Sequence, residues 1–237
     1  MFVLSHHAPA CFHRNGWRTT LRHFFHFQNQ GFSILRPSSI WNPVLSLESQ
    51  NIEAAVALIR INKTDPEYLI LKRAVNPNDP WSGHLSFPGG RRESLECDLF
   101  VTVVRECFEE CKIRLQRRHL SSILPVAAAG NALGNPVLVQ PYFFELKQPP
   151  NIQLNPDEVQ SAMWLPESHV LQCENHHTGP IALGNKTAEL PFCQIGQDIF
   201  WGFSYKVLMN FLWQAGRIPH NRFASVMSAI HHSPHKA

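Results

Sequence analysis

Three carboxylates lie close together near the middle of the chain. Glu106, Glu109 and Glu110 occur in the stretch RECFEECKI, at positions i, i+3 and i+4. In an α-helix these side chains share one face and lie within reach of one another. Neighbouring like charges destabilise a bare helix, so a bound cation would stabilise this one. Hard divalent cations such as Mg²⁺ and Mn²⁺ take oxygen ligands of this kind and bridge carboxylates to phosphates.

The same cluster has a simpler interpretation, since acidic runs on helices are commonly solvated faces and Arg105 can pair with Glu109. The order of the surrounding residues favours the metal site. From Phe87 to Ile113 the chain resembles the Nudix box, G-x5-E-x7-R-E-U-x-E-E-x-G-U, in which U is a bulky apolar residue. The fixed positions of that box are held by Gly90, Glu96, Arg105, Glu106, Cys107, Glu109, Glu110 and Ile113.

The chain departs from the box at two points. Eight residues separate Glu96 from Arg105 where the box has seven, and Lys112 stands where the box has its last glycine. The extra residue is itself a feature of coenzyme A-type Nudix hydrolases, which this chain resembles. The lysine puts the geometry of the helix end in question, because glycine accepts a left-handed cap more readily than lysine does.

Two further segments resemble the coenzyme A pyrophosphatase-like group of Nudix proteins. Asp79–Arg92 is similar to the segment that precedes the box in that group, and Ile199–Tyr205 is similar to the one that opens its last helix. The resemblance covers about residues 52–213. It implies an α/β fold, a Nudix-type α/β/α sandwich with a mixed central sheet.

The resemblance also implies a reaction, the metal-dependent hydrolysis of a pyrophosphate linkage. The leading substrate is coenzyme A or an acyl-coenzyme A, cut to 3′,5′-ADP and (acyl-)phosphopantetheine. ADP-ribose, another nucleoside diphosphate derivative, a dinucleoside polyphosphate or an oxidised nucleotide is the alternative substrate, because a fold does not fix a substrate. A Nudix-fold binding protein without catalysis is a further alternative. Such proteins usually lose box carboxylates, and all three remain here.

Roles for individual residues follow from the resemblance. It assigns Glu106, Glu109 and Glu110 to the binding of Mg²⁺ or Mn²⁺, with the backbone carbonyl of Gly90 as a further ligand. Arg105 is expected to support the site through an ion pair with Glu96, which holds the loop against the helix. Glu106, Glu109 and Arg105 are therefore candidate catalytic residues.

The reaction also needs a group that accepts a proton from water. The sequence leaves open whether this is a box carboxylate or one outside the helix. Glu158, in the segment NPDEV, and Glu145, at the end of a predicted strand, are the candidates from outside. Either is also explained as an ordinary surface residue. Glu158 completes the set of candidate catalytic residues.

Basic and aromatic residues near the box are candidates for substrate binding. Arg91 and Arg92 lie beside the glycine turn, where guanidinium groups could hold phosphate oxygens in bidentate pairs, or could simply be solvated. Lys72 and Arg73 end a predicted strand that points towards the same loop and could meet the 3′-phosphate of coenzyme A. His84, with Trp81 nearby, could flank the substrate or only pack within its loop.

The apolar patterns predict the elements that position these residues. The box helix begins at Cys97 or Asp98, with Asp98 as its N-cap, and Cys107 and Cys111 lie on its buried stripe rather than serving as ligands. The pair His176-His177 is expected in an exposed loop, and a closing helix is predicted over residues 203–215. Strands are predicted at residues 54–61, 68–72, 85–87, 123–129, 137–145, 161–165, 190–192 and 199–201, the first two as a hairpin.

The pattern divides the chain into three regions. Residues 51–216 hold the expected Nudix hydrolase domain, and residues 217–237 form a polar tail. Residues 1–50 are an extension that contains arginines and histidines but no acidic residue before Glu48. That composition indicates a targeting segment, a packed extension or a start codon assigned too early. A cytoplasmic location is expected, with mitochondrial or other organelle targeting as the alternative.

Composition excludes several classes of protein. The 44% hydrophobic and 16% charged content is typical of a globular chain, and a net charge of +3 is too small to argue for nucleic acid as a partner. No apolar run reaches the 18 or so residues of a membrane span. The six cysteines form no C-x-x-C pair, which favours a reducing compartment. The expected partner is a small nucleoside diphosphate substrate such as coenzyme A, and a homodimer stays open.

Overall fold

The computed structural model describes residues 51–77, 79, 81–130, 136–183, 186–218 and 226. The chain divides into two units, Met1–Val44 and Leu45–Ala237, and all of the described residues lie in the second. The extension at residues 1–50 and most of the tail at 217–237 lie outside the described residues. In the part that is described, no helix combines the length and the apolarity needed to cross a bilayer.

Strand β1 (Ala54–Ile61) lies at the centre of the main sheet. It forms the predicted hairpin with β2 (Glu67–Arg73), and this pair is antiparallel. Its other neighbour, β7 (Val137–Leu146), runs parallel to it from Ala54–Val139 to Ile61–Leu146. Because both faces of β1 are covered, its sequence AAVALIRI is apolar almost throughout rather than alternating.

The main sheet is mixed, as predicted. Among the described residues it has eight strands, and β1–β7 is the parallel pair while the other pairings are antiparallel. A second, three-stranded antiparallel sheet follows. The main sheet also contains β3 (Leu85–Ser86), β4 (Gly89–Arg91), β5 (Leu120–Ile123), β6 (Ala127–Ala129) and β8 (Val159–Pro166). The second sheet is formed by β9 (His176–Leu183), β10 (Lys186–Ile195) and β11 (Asp198–Trp201).

Helices cover both faces of the main sheet. They are α1 (Leu99–Cys111), α2 (Glu167–Val170) and α3 (Gly202–Gln214). Ile59 of β1 shares a core cluster with Cys107 and Cys111 of α1, whereas the adjacent Leu58 shares another with Leu208 of α3. Successive strand residues point to opposite faces, so β1 separates two apolar layers. The predicted α/β/α arrangement and the buried position of both cysteines are confirmed.

The two ends of α1 differ in how well the sequence anticipates them. The carboxylate of Asp98 accepts a hydrogen bond from the backbone N–H of Val101 at 2.9 Å, which confirms the predicted N-cap. At the other end Lys112 adopts a left-handed conformation with φ 57° and ψ 18°. Lysine thus takes the backbone conformation that glycine accepts more readily, and the helix ends as it would with glycine.

The continuous strand predicted at residues 123–129 is wrong. The structure has two strands there, β5 and β6, which both pair with β7 and are separated at residues 124–126. Pro125 has no N–H to donate to a ladder. The side-chain amide of Gln140 donates instead to the carbonyl of Leu124 in the interrupted segment.

The exposed loop predicted at His176 is also wrong. β9 begins at this residue, and its imidazole is buried. The ring lies 2.8 Å from the carbonyl of Val170 through Nε2 and 2.8 Å from the hydroxyl of Tyr205 through Nδ1. The sequence HHTGPIAL conceals the strand because Gly179 and Pro180 are typical of turns, and the ladder to β10 overrides that local preference.

Candidate active site

A two-glycine turn brings the backbone against the box helix. Gly89 has φ 146°, and a Cβ at this position would run into the carbonyl of Ala55. A Cβ at Gly90 would collide with the carboxylate of Glu106. The backbone N–H of Gly89 donates to Oε2 of Glu110 at 2.9 Å. The glycines are therefore required by close approach, and they place two carboxylates of α1 directly against the turn.

Arg105 connects four parts of the site. Its Nε donates to Oε1 of Glu96 at 2.7 Å, so the predicted ion pair is present. Its Nη1 lies 2.7 Å from Oε2 of Glu109 and 3.0 Å from Oε1 of Glu106. Its Nη2 donates to the carbonyl of Arg91 at 3.0 Å. One guanidinium thus fixes two carboxylates of the helix relative to the loop that follows the glycine turn.

Glu96 is held as a carboxylate inside the protein. It is buried and accepts hydrogen bonds from the hydroxyl of Thr102 at 2.6 Å and the backbone N–H of Glu93 at 2.9 Å. Burial alone would raise the pKa of Glu96, but the bonds from Arg105, Thr102 and the backbone outweigh it and hold that pKa below its ordinary value. Glu96 therefore stays charged and keeps Arg105 in place.

The pKa values of Glu106 and Glu110, the two carboxylates at the glycine turn, are raised, whereas that of Glu96 is lowered. Burial raises the pKa of Glu106, and the charges of Glu109 and Glu158 add to this effect while Arg105 opposes it. Burial also raises the pKa of Glu110 to about 8, against the hydrogen bond from Gly89 and with the help of Glu106 and Glu158. Acidic groups so close together in a buried place carry more negative charge than their surroundings compensate.

The residues fit a hard divalent cation. Glu106, Glu109 and Glu110 carry oxygen atoms of the kind that such ions prefer as ligands, and a bound cation would relieve their mutual repulsion. Among the residues that the structure describes, no three His, Cys, Asp or Glu side chains are arranged as a metal site. The reason is visible in the contacts, since Glu106 and Glu109 turn to Arg105 and Glu110 turns to the backbone of Gly89.

Glu158 and Glu145, the two candidate proton acceptors outside α1, lie in different parts of the structure. Glu158 lies in the turn before β8, is exposed, and is close enough to the cluster to raise the pKa of both Glu106 and Glu110. Its Oε1 accepts a hydrogen bond from the side chain of Asn155 at 3.1 Å. Glu145 lies near the far end of β7 and is bound there by Arg60. The turn that contains Glu158 is joined to α1, because the N–H of Asn155 donates to the carbonyl of Glu110 at 2.9 Å, whereas Glu145 is held by Arg60 near the other end of β7.

The arginines after the turn both have partners. Nη1 of Arg91 lies 2.9 Å from Oε2 of Glu53, and the Arg91 side chain is largely exposed. Nη2 of Arg92 donates to the carbonyl of Glu96 at 2.8 Å. Arg91 therefore lies at the surface beside the turn, and Arg92 braces the loop.

The basic residues at the end of β2 are each paired with an aspartate. Nζ of Lys72 lies 2.7 Å from Oδ1 of Asp198, and Arg73 donates from Nε and Nη2 to Oδ2 of Asp79 at 2.9 and 2.8 Å. Neither partner was predicted from the sequence. Asp198 lies 126 positions away in the second sheet, so no local pattern connects it to Lys72.

Three rings meet beside these ion pairs. The ring of His84 lies 5.0 Å from that of Trp201 and 6.0 Å from that of Trp81, and the two indoles are 6.3 Å apart. Burial, assisted by Arg73 and opposed by Asp79, lowers the pKa of His84. Trp201 was not among the predicted site residues, because its approach depends on how the second sheet lies against the loop that contains Trp81.

A family comparison agrees with this geometry. The profile of the NUDIX domain matches residues 51–183. That span is more than half of the chain and contains the glycine turn, the box helix and Glu158. The chain belongs to the NUDIX domain family. The NUDIX match also spans Arg105 and its carboxylate partners Glu96, Glu106 and Glu109.

Individual relatives are similar to this NUDIX chain to different extents. It is 25% identical over 205 residues to the "Uncharacterized Nudix hydrolase NudL" of Salmonella newport (strain SL254), covering 85% of this chain and 98% of NudL. It is 32% identical over 110 residues to the "Uncharacterized protein C14C4.10c" of Schizosaccharomyces pombe, covering 45% of this chain and only 33% of that relative. A crystal structure of a MutT/nudix family protein from Enterococcus faecalis shares the fold, with a TM-score of 0.50 and 13% identity over 75% of this chain and 72% of that one.

These comparisons bear on the chemistry only at a coarse level. The NUDIX match and the likeness to a Nudix hydrolase support a hydrolase that cleaves pyrophosphate linkages. Nudix hydrolases generally use divalent metal ions, which agrees with the oxygen-rich cluster at Glu106, Glu109 and Glu110.

Proposed function

We propose that this protein is a metal-dependent diphosphohydrolase that cuts coenzyme A or an acyl-coenzyme A to 3′,5′-ADP and (acyl-)phosphopantetheine. The observation that carries the hydrolase is the contact of Glu106 and Glu110 with the Gly89-Gly90 turn. The choice of coenzyme A is supported by the residues before the turn, where basic and aromatic side chains lie at one end of β2.

Glu106, Glu109 and Glu110 would hold the Mg²⁺ or Mn²⁺ ion, with the carbonyl of Gly90 as a further ligand. Such an ion neutralises phosphate charge and lowers the pKa of bound water. Arg105 keeps Glu106 and Glu109 in position through Nη1. Glu158 is proposed to accept the proton of the attacking water, since it is exposed and acts electrostatically on Glu106 and Glu110. Arg91 and Arg92 are proposed to bind phosphate oxygens beside the turn. Arg91 is the more available of the two, since its side chain is largely exposed whereas Arg92 donates to the carbonyl of Glu96.

Lys72 and Arg73 are proposed to recognise the 3′-phosphate, and the ring trio of Trp81, His84 and Trp201 to hold the adjoining part of the substrate. Binding would require the phosphate to replace Asp198 on Lys72 or Asp79 on Arg73. An ammonium can exchange one anion for another because it acts as a compact, rotatable point charge. Lys72 is therefore the better placed of the two to take a phosphate.

The ion pairs Lys72–Asp198 and Arg73–Asp79 favour a second class of substrate, which lacks a 3′-phosphate. Lys72 and Arg73 are each neutralised by a carboxylate, so the end of β2 carries little free positive charge for a 3′-phosphate. ADP-ribose or another nucleoside diphosphate derivative offers the same linkage without that group. These substrates would use the acidic cluster and the ring trio and would leave both ion pairs in place.

A comparison of coenzyme A with dephospho-coenzyme A, which lacks the 3′-phosphate, separates the two classes. Lys72→Gln should lower kcat/KM for coenzyme A by about 10-fold or more, because a charge-assisted contact is lost. The kcat/KM for dephospho-coenzyme A should change far less. Lys63→Gln, which removes an exposed lysine paired with Glu67, is the matched control. Equal losses on both substrates in Lys72→Gln would show that Lys72 does not recognise the 3′-phosphate.

A further inference from the structure

A basic cleft lies at the opposite end of β7 from the glycine turn. It has a volume of about 700 Å³ and lies between the end of α1, the 3₁₀ turn at Arg117–His119 and the residues that follow β7. We call it the basic cleft and define it by its charged lining. That lining comprises Lys112, Arg114, Arg118, His119 and Lys147, with Glu145 as the acidic member among the described residues.

The basic cleft is separate from the acidic cluster. Gly90 pairs with Ala55 of β1, and Ala55 pairs in turn with Gln140 of β7. Leu146, which lines the cleft, lies six residues further along β7. At a strand rise of about 3.3 Å per residue, this places the Leu146 end of the cleft roughly 20 Å from the turn. Lys112, at the other end of the cleft, follows Glu110 by two residues and lies nearer to the acidic cluster.

The cations of the cleft are unpaired, unlike most others in the described part of the chain. None of Lys112, Arg114, Arg118 and Lys147 forms an ion pair with a described carboxylate. Glu145 does not balance them, since Arg60 and Asn62 already bind its carboxylate. Lysines and arginines elsewhere that do pair with a described carboxylate are Arg60, Lys63, Lys72, Arg73, Arg91, Arg105, Arg117 and Arg217.

Two of these cations are held on an aromatic ring. Nζ of Lys112 lies 4.9 Å and the guanidinium carbon of Arg114 lies 4.3 Å from the centre of the Phe108 ring. Lys112 has this position although its backbone is left-handed, with φ 57°. This conformation is the left-handed cap with which α1 ends. Burial and the charge of Arg118 also lower the pKa of His119, as expected in a positive field.

The end of α1 does not cancel this charge. A helix C-terminus carries partial negative charge on its free carbonyls, which would repel an anion. Here the carbonyl of Glu110 accepts the backbone N–H of Asn155 at 2.9 Å, and that of Cys111 accepts the N–H of Gln153 at 3.2 Å. The cations of the cleft therefore set its sign.

The size and lining of the cleft indicate a small ligand. A volume of about 700 Å³ falls within the range of small-molecule pockets, roughly 300–1,000 Å³. Proteins that bind single-stranded nucleic acid add aromatic surfaces on which bases stack, and the described lining has no Phe, Tyr or Trp. We propose that the basic cleft binds a small oligophosphate anion, such as inorganic triphosphate or the phosphate chain of a nucleotide, at a site distinct from the catalytic one.

Calorimetric titration of the full chain with inorganic triphosphate tests this proposal. The titration is made in EDTA at fixed ionic strength, so that metal-dependent binding at the catalytic site does not contribute. The double variant Lys112→Gly with Arg118→Gln removes two charges of the cleft, and glycine accepts the left-handed backbone at position 112. Arg117→Gln is the matched control, because Arg117 adjoins Arg118 but pairs with Asp98 at 3.3 Å and does not line the cleft.

The double variant should raise the Kd for triphosphate by about 10-fold or more, since two charge-assisted contacts are lost, while Arg117→Gln should leave it within about 2-fold. An unchanged Kd in the double variant would overturn the proposal. So would sulfate that binds as tightly as triphosphate at equal ionic strength, or binding that Arg91→Gln removes and the double variant retains.

Two further titrations distinguish larger partners with the same charge. Short single-stranded RNA or vesicles of anionic lipid that bind more tightly than triphosphate, and lose that binding in the double variant, would overturn the choice of a small anion. The titration measures binding and not turnover, so its result does not depend on whether the proposed hydrolase activity is correct.

Discussion

At the scale of single residues, the positive charge of one arginine compensates the negative charge of several carboxylates. Arg105 contacts Glu96, Glu106 and Glu109, and its own pKa is raised by these partners despite burial. The carboxylate of Glu110 has no such contact, and among the described hydrogen bonds it accepts only the backbone N–H of Gly89. The negative charge of Glu110 is therefore poorly compensated, and a cation bound at this residue would have the largest effect on stability.

Glu110 links metal binding to pH. Its folded pKa of about 8 lies above its ordinary value of 4.5, so the folded state binds a proton that the unfolded state releases between these values. In EDTA this group therefore costs stability as pH rises from 4.5 towards 8. At pH 8 Mg²⁺ should raise the Tm of the wild type, because a ligand that binds only the folded state stabilises it.

The variant Glu110→Gln should be more stable than the wild type in EDTA at pH 8 and should lose most of the Mg²⁺ effect. Thermal unfolding followed by circular dichroism, with and without Mg²⁺, measures both quantities. Glu174→Gln changes an exposed glutamate and serves as the control. A Mg²⁺ shift of wild-type size in Glu110→Gln would remove Glu110 from the proposed metal site.

At the scale of elements, a buried histidine joins β9 to both neighbouring helices. The carbonyl of Val170 can only accept a hydrogen bond, so Nε2 of His176 carries a proton. In the neutral ring Nδ1 then accepts from the hydroxyl of Tyr205. Burial lowers the pKa of His176 below 6.5, in keeping with that form.

The sign of the pH effect follows from this shift. Below pH 6.5 the unfolded state takes up a proton that folded His176 does not, so stability present above pH 6.5 is lost as pH falls towards the folded pKa. His176→Gln should reduce the loss of unfolding free energy between neutral and acidic pH, measured by urea denaturation. His177→Gln, at the exposed neighbouring position, should retain the wild-type slope. The same slope in His176→Gln would contradict this account.

The end of α1 gives a prediction about strain. Lys112 has φ 57°, which costs about 1–2 kcal/mol for a residue with a Cβ, while its ammonium gains roughly 0.5–1 kcal/mol from the Phe108 ring. Lys112→Gly should therefore raise the free energy of unfolding by about 0.5–1 kcal/mol in urea denaturation. Lys112→Ala keeps the strain and loses the ring contact, so it should be less stable than the wild type. Equal stability of the two variants would show that the backbone is unstrained.

Elements with a strong local pattern could be predicted from the sequence. The hairpin β1–β2 follows from two apolar runs around a polar turn, and α1 follows from its apolar stripe and the Asp98 cap. β9 could not, since its Gly179 and Pro180 oppose a strand and only the ladder to β10 decides. The break at Pro125 was readable from the residue itself, because proline cannot donate to a ladder.

At the scale of the whole molecule, contacts between residues far apart in the chain are the ones that the sequence did not predict. The ion pair of Arg105 with Glu96 spans nine positions and was predicted, whereas that of Lys72 with Asp198 spans 126 and was not. The net charge of +3 likewise gave no sign of the basic cleft. Among the described residues, the fold pairs most cations outside the cleft with a carboxylate, and it leaves Lys112 and Arg118 without an ion pair to a described carboxylate.

Product analysis by mass distinguishes metal-dependent cleavage of coenzyme A from the other activities. The wild type and Glu109→Gln are each incubated with coenzyme A, ADP-ribose and a nucleoside triphosphate, in Mg²⁺, Mn²⁺ or EDTA. We expect 3′,5′-ADP from coenzyme A with metal and none in EDTA. We also expect a loss in Glu109→Gln beyond the roughly 10–100-fold typical of residues that only support a ligand. Cleavage in EDTA, or wild-type turnover by Glu109→Gln, would contradict the metal site. Cleavage of ADP-ribose or the triphosphate alone would contradict coenzyme A as the substrate.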